Sequence, residues 1–209
     1  DRSDNVVIPQ SINGCPVTSI GECAFINALI KGVDIPYGVR TIERVAFGNC
    51  DLIEHINIPD SVTEIGEGAF TYCTSLKSIK LPLNITIINS RLLKNCESLE
   101  AISIPDNVTS IGGGGLSDCI SLKSITIGKN VNQIYVVAFA GTKITEIVIP
   151  ENVTSIGEYA FRMCNSLTRA VFLNDDVVLY DNIFDNCTTK NNNQLTIVAH
   201  EGSTAQKYA

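Results

Sequence analysis

The chain contains no tryptophan, one methionine and two histidines among its 209 residues, and it has no excess of positive charge. Its net charge of −7 argues against a surface that neutralises the phosphates of nucleic acid or of anionic lipid, because both need a basic patch. No apolar run approaches the roughly 20 residues that a membrane helix requires. These absences predict a folded protein with no nucleic-acid partner and no membrane insertion.

Catalytic and metal-binding patterns are also scarce. The two histidines, His55 and His200, lie far apart, so a catalytic Ser/His/Asp or Cys/His set would have to centre on one of them. The eight cysteines include no CxxC pair of the kind that holds zinc. We therefore expect no catalytic residue, no metal and no cofactor.

An internal repeat organises the sequence. Six cysteines mark it at a spacing of 23 residues, in one series of four and one of two: Cys50, Cys73, Cys96 and Cys119, then Cys164 and Cys187. Alignment on them gives the unit LxxIxIPxxVTxIGxxAFxxCxx. A unit of this size cannot bury a core alone, so its copies must stack and share a ladder of hydrogen bonds. The repeat predicts a solenoid.

Each copy predicts two short strands. The segment LKSIKL, residues 76–81, alternates apolar and polar residues and stops at Pro82, which is typical of a strand. Such strands from successive copies should stack in parallel at about 4.8 Å. The segment VTEIG, residues 62–66, predicts a second strand, and EGAFTYC, residues 67–73, predicts a helical turn.

Four consecutive glycines occupy residues 112–115. Such a run can cradle a phosphate, but a phosphate loop would continue with a lysine or the start of a helix. Here the repeat resumes at Leu116, and the glycines align with residues 66–69 of an earlier copy. We assign the run to the repeat and expect this copy to be looser than its neighbours.

Two columns of the alignment indicate a core. Phenylalanines recur at one position and should form a packed spine: Phe25, Phe47, Phe70, Phe139, Phe161 and Phe184. The cysteine column could form disulfides, bind a metal or fill space as buried thiols. Stacked Cβ vectors are poorly aimed for disulfides, and Ala28 and Thr142 replace cysteine in two copies, which favours inert thiols. Cys15 and Cys23 lie outside the column. They could form a disulfide or remain two free thiols.

The outward positions of the longer strands are where a ligand would make contact. They are small or polar, and the candidate ligand-facing residues are His55, Asn57, Ser78, Lys80, Glu100, Ser103 and Thr126. At the position before these strand residues, the side-chain charge alternates in sign from copy to copy: Lys31, Glu54, Lys77, Glu100 and Lys123. Such alternation indicates that adjacent copies neutralise one another.

Four N-x-T sequences begin at Asn84, Asn107, Asn152 and Asn186. They are glycosylation sequons in form, but three of them arise from the repeated NVT or NIT turn. We interpret them as by-products of the repeat.

The segment IPDSVTEIGEGAFTYCTSLKSI, residues 58–79, resembles the BspA-like, treponemal-type branch of leucine-rich repeats. The resemblance covers essentially the whole chain. It implies one mostly β domain over residues 1–209, at the α/β class boundary: an N-terminal segment 1–16, about seven repeats over 17–189, and a closing strand and short helix over 190–209. It also implies a right-handed, curved solenoid whose parallel sheet is concave.

The resemblance implies a role in adhesion or host interaction. Such repeats occur in secreted or surface-anchored proteins, so we expect a non-catalytic extracellular domain that binds a host or neighbouring-cell protein or glycan. The alternative is a structural spacer with no ligand of its own. The N-terminal residues DRSDNVVIPQ show no signal pattern, and we expect any targeting segment to have been removed. We also expect a monomer, because both ends of the stack should be covered.

Overall fold

The structure, a computed structural model, describes residues 5–187 and 195–208. The chain winds through about eight turns, and most successive turns pair their strands in parallel. One strand of each turn lies on a surface that we call the strand face. Its strands are β1 (Asn5–Val7), β5 (Gly32–Asp34), β7 (His55–Asn57), β9 (Ser78–Ile79), β11 (Ala101–Ser103), β13 (Ser124–Thr126), β15 (Glu146–Ile149), β17 (Arg169–Phe172) and β19 (Thr196–Val198).

A second ladder of two-residue strands follows the first around each turn. Its strands are β4 (Ser19–Ile20), β6 (Thr41–Ile42), β8 (Glu64–Ile65), β10 (Ile87–Ile88), β12 (Ser110–Ile111), β14 (Gln133–Ile134), β16 (Ser155–Ile156) and β18 (Val178–Leu179). In most of these strands the first residue points outward and the second is a buried isoleucine, such as Ile65 or Ile111. This pattern follows from the period of two along a strand that is buried on one side.

The stack has about eight turns rather than the seven predicted, because the N-terminal segment begins a turn of its own. Strand β1 pairs with β5 in register, Val6 opposite Val33. An antiparallel hairpin, β2 (Ser11–Ile12) and β3 (Cys15–Pro16), then leads into β4. The first turn therefore contributes to both ladders, although its sequence departs from the repeat.

The core is a single cluster of apolar side chains that runs the length of the stack. The predicted phenylalanine spine is confirmed, with ring centroids 5.0 Å apart for Phe25 and Phe47 and 5.3 Å apart for Phe139 and Phe161. Leu93 is fully buried between the two groups of rings. Each turn thus packs its apolar side chains against both neighbours, as a unit too small to fold alone requires.

The segment after the second strand is a chain of β-turns, so the predicted helical turn is wrong. In the second turn the amides of Ala46, Gly48 and Cys50 donate to carbonyls three residues earlier, while the alternate amides donate to the next turn. Two residues in this segment of each turn have left-handed backbone, such as Val45 (φ 54°) and Asn49 (φ 56°). A left-handed residue interrupts an α-helix, so the segment cannot continue as one.

The closing part of the described chain contains β19 and a short helix, α1 (Thr204–Tyr208). The Tyr208 hydroxyl accepts a hydrogen bond from the Ile183 amide at 3.1 Å, and its ring meets the edge of Phe184. The predicted boundary between the last repeat and the closing segment, at residues 189 and 190, lies outside the described residues. Across the described ranges, no helix has the length and apolar character needed to cross a membrane.

Candidate functional site

All seven predicted ligand-facing residues are exposed on the strand face. Strand pairing places His55 directly opposite Ser78, and Ser103 opposite Thr126. Lys80 follows β9, and Glu100 precedes β11. The structure thus arranges the candidates in neighbouring turns of one exposed surface.

His55 occupies space that a glycine leaves open. A Cβ atom on Gly32, its partner in β5, would lie 2.6 Å from the His55 Nε2 atom and 2.5 Å from the Asn5 Oδ1 atom. Asn5 is itself held by a hydrogen bond from its Nδ2 atom to Asp34 (2.8 Å). The His55 imidazole therefore covers Gly32. His55, which the sequence predicted only as a ligand contact, thus has a packing role as well.

Two ion pairs on the strand face join adjacent turns. The Lys77 ammonium lies 2.6 Å from the Glu54 carboxylate, and Arg169 pairs with Glu146 in the same way. The hydrogen bond from Lys77 lowers the pKa of Glu54 below its ordinary value. The predicted neutralisation between adjacent turns is confirmed for Glu54 and Lys77. Glu146 and Arg169 form a further pair outside the predicted series.

The cysteine column consists of free thiols that bond between turns. The Cys50 Sγ atom lies 2.9 Å from the Phe25 carbonyl oxygen, and the Cys119 Sγ atom lies 3.2 Å from that of Leu93. Burial raises the pKa of Cys50 to about 11 and that of Cys119 to about 12. Over residues 5–187 and 195–208, no group of three or more histidine, cysteine or acidic residues is placed to hold a metal ion.

The two cysteines off the column are free thiols as well. Cys15 lies exposed in β3, and Cys23 is half-buried at a left-handed position of the first turn (φ 56°). A disulfide between Cys15 and Cys23 stays a prediction, beside the alternative of two free thiols.

Three of the four sequon asparagines form a ladder of their own, whereas the Asn186 Nδ2 atom donates to the neighbouring Asp185 carboxylate. The Nδ2 atom of Asn107 donates to the Leu83 carbonyl at 2.8 Å, and that of Asn152 donates to the Lys129 carbonyl at 2.8 Å. Asn84 makes the equivalent bond to Asp60 at 2.7 Å. The recurrence of asparagine therefore has a structural cause in the turn-to-turn contact, which sequence spacing alone did not reveal.

The second ladder shows an alternation that the repeat consensus concealed. The position after the buried isoleucine is glycine in every other turn, and the full series is Gly21, Glu43, Gly66, Asn89, Gly112, Tyr135, Gly157 and Tyr180. A Cβ atom on Gly112 would lie 2.6 Å from the Ser90 amide nitrogen. A Cβ atom on Gly157 would lie 2.7 Å from the Val136 amide nitrogen. Comparison of this position turn by turn, rather than through a consensus, would have shown the alternation.

The alternation produces two furrows between the larger side chains. The Gly157 furrow is a cavity of about 340 Å³ lined by Gln133, Tyr135, Val136, Ser155, Glu158 and Tyr180, with Gly157 between them. The Gly112 furrow, about 370 Å³, has Ile87, Ser110 and Gly113 in its lining. Tyr135 and Val136 line both furrows, so the two cavities are neighbours on one surface.

The stacked turns, the paired ladders and the asparagine and cysteine columns define a leucine-rich-repeat solenoid. The chain belongs to the family described as the BspA type leucine rich repeat region, whose profile matches six copies over residues 3–114 and 86–200.

Solved structures of bacterial proteins share this fold. A leucine rich cell surface protein of Faecalibacterium prausnitzii A2-165 is 33% identical, with a TM-score of 0.80 over 87% of this chain and 51% of that protein. The Treponema pallidum leucine rich repeat protein TpLRR is 30% identical, with a TM-score of 0.73 over 79% of this chain and 78% of its own. This chain therefore spans about half the length of the F. prausnitzii protein. No curated protein sequence matches the chain.

Proposed function

We propose that this chain is a non-catalytic binding domain of a bacterial cell-surface protein, and that it contacts a host or neighbouring-cell protein or glycan through the strand face. The F. prausnitzii relative is described as a cell surface protein, which supports the location. We expect the strand face to be the concave side of a right-handed stack, and the domain to act as a monomer.

The observation that carries this proposal is the row of exposed polar side chains in fixed register. His55 and Ser78 occupy paired strand positions, as do Ser103 and Thr126. The backbone beneath these side chains is already ordered before a partner arrives, so binding has to order only the side chains. A rigid polar surface of this kind suits adhesion.

A spacer is the second candidate, and the contacts within the strand face favour it. Lys77 neutralises Glu54, and His55 covers Gly32, so folding alone accounts for both features. A spacer needs only the stacked core and would bind nothing through this surface.

Binding of the purified chain to a panel of host matrix proteins and glycans separates the two. The test variant carries His55→Ala and Lys80→Glu, and the matched control carries Lys207→Glu on the closing helix. Binding that the test variant loses and the control keeps, with unchanged circular dichroism, supports adhesion through the strand face. A folded chain that binds nothing on the panel favours the spacer.

A further inference from the structure

The second ladder carries outward side chains of alternating size that the proposed function does not use. The outward residue is large in β10, β14 and β18 but small in β12 and β16, in the order Ile87, Ser110, Gln133, Ser155 and Val178. Tyr135 and Tyr180 stand two residues further along the turns on either side of Gly157. Since strands in a ladder lie about 4.8 Å apart, turns that carry large side chains are separated by about 10 Å.

The Gly157 furrow has aromatic walls and polar groups between them. Tyr135 and Tyr180 are 47% and 52% exposed. The Tyr135 hydroxyl donates to the Gln133 Oε1 atom at 2.6 Å, which orients the ring. The cavity of about 340 Å³ falls in the range of small-molecule sites, about 300–1,000 Å³.

The chemistry of the lining selects among ligands. The amide of Gln133, the hydroxyl of Ser155 and the carboxylate of Glu158 would lose their water contacts beneath a purely apolar ligand, which is costly. An anionic ligand would be repelled by Glu158. The two tyrosine rings favour a ligand that also presents apolar faces.

A neutral sugar ring meets all these conditions, because its C–H faces pack on aromatic rings while its hydroxyl groups bond to amides, hydroxyls and carboxylates. We propose that the Gly157 furrow binds a neutral saccharide, at a site separate from the strand face. Tyr135 provides the shared wall, and the adjoining Gly112 furrow, of about 370 Å³, accepts a further sugar residue. An oligosaccharide that reaches both furrows binds more tightly than a single sugar, since the second contact is intramolecular.

The chain has no tryptophan, so its intrinsic fluorescence comes from six tyrosines, two of which line the furrow. Tyrosine fluorescence can therefore be used to follow binding. The probes are glucose, cellohexaose, laminarihexaose and chitohexaose, with an acidic hyaluronan hexasaccharide for comparison. We expect saturable fluorescence change with at least one neutral hexasaccharide and weaker binding of glucose. No saturable change with any neutral hexasaccharide, or tighter binding of the acidic one, overturns the proposal.

Three variants locate the site. Tyr135→Ala removes the wall shared by the furrows and should weaken binding about tenfold, measured by calorimetry. Ser155→Gln introduces the larger side chain that the adjacent turn has at Gln133. It should fill the Gly157 furrow and block binding, although Tyr135 and Tyr180 are unchanged. Tyr37→Ala, at a tyrosine that is 76% exposed and outside the furrows, should bind as the unmodified chain does.

The strand-face variant with His55→Ala and Lys80→Glu serves as a second control. Saccharide binding that survives in it confirms a separate site. Binding that it loses, or that Tyr135→Ala retains in full, overturns the proposal.

Discussion

The thiol of Cys73 donates a hydrogen bond to the carbonyl oxygen of Phe47 in the preceding turn, over 3.2 Å. Cys96 makes the same contact with Phe70 at 3.3 Å. Both sulfur atoms are fully buried. Cysteine in this column therefore fills a small space and also links successive turns through its S–H group, which alanine cannot do.

Replacement of Cys73 by alanine should lower the free energy of unfolding by about 1–2 kcal/mol, since it removes a buried hydrogen bond and leaves a small cavity. Urea-induced unfolding measures this change. Cys15→Ala, at an exposed thiol, is the matched control and should shift stability by less than about 0.5 kcal/mol. Equal effects at the two positions would show that the bond between turns contributes nothing.

Stability should fall at alkaline pH because of the same column. Burial raises the pKa of Cys50 from the ordinary 9.0 to about 11, so the folded chain keeps protons that the unfolded chain releases. This contribution is complete below about pH 9 and is lost as the pH rises through the folded value of about 11. Thermal unfolding between pH 8 and 11, at about half-unit steps, measures the slope. Cys50→Ser should make the fall shallower, and an unchanged slope would contradict the assignment.

The glycine run should respond differently at two neighbouring positions. Gly112→Ala places a Cβ atom 2.6 Å from the Ser90 backbone nitrogen and should destabilise the fold by about 1–3 kcal/mol. Gly113→Ala meets the Val136 side chain at an ordinary 3.4 Å and should stabilise by about 0.4–1 kcal/mol, because it reduces the entropy of the unfolded chain. Urea unfolding of both variants gives the comparison. Equal effects would show that close approach between turns does not decide which glycines are required.

Val137 should gain from replacement by asparagine. Its φ of 50° is unfavourable for a β-branched residue, whereas asparagine tolerates this region and occupies the equivalent position in Asn182 (φ 57°). We expect Val137→Asn to raise the free energy of unfolding by about 0.5–1 kcal/mol. Val136→Asn, one residue earlier and exposed, is the control and should change it little. A loss of stability in Val137→Asn would show that the half-buried valine packs more favourably than its backbone strain costs.

Parts of the candidate site were predictable and parts were not. The exposed positions of the strand face followed from alternation along segments such as LKSIKL, because side chains of a strand point to opposite sides. The furrows beside Tyr135 were not predicted, because a consensus taken from similar copies hides differences between adjacent turns. A furrow forms where one turn has glycine after its second strand and the adjacent turns have larger residues, so it depends on the combination of neighbouring turns.

The sequence by itself determined the stack of turns, its repeat length and its core columns, since apolar residues at fixed spacing can be buried only by stacking. The structure alone decided how the turns join. The thiol of Cys73, the amide of Asn107 and the backbone beside Gly112 each act on the preceding turn. Such contacts connect atoms more than 20 residues apart in sequence, and only the three-dimensional spacing of neighbouring turns sets their distances.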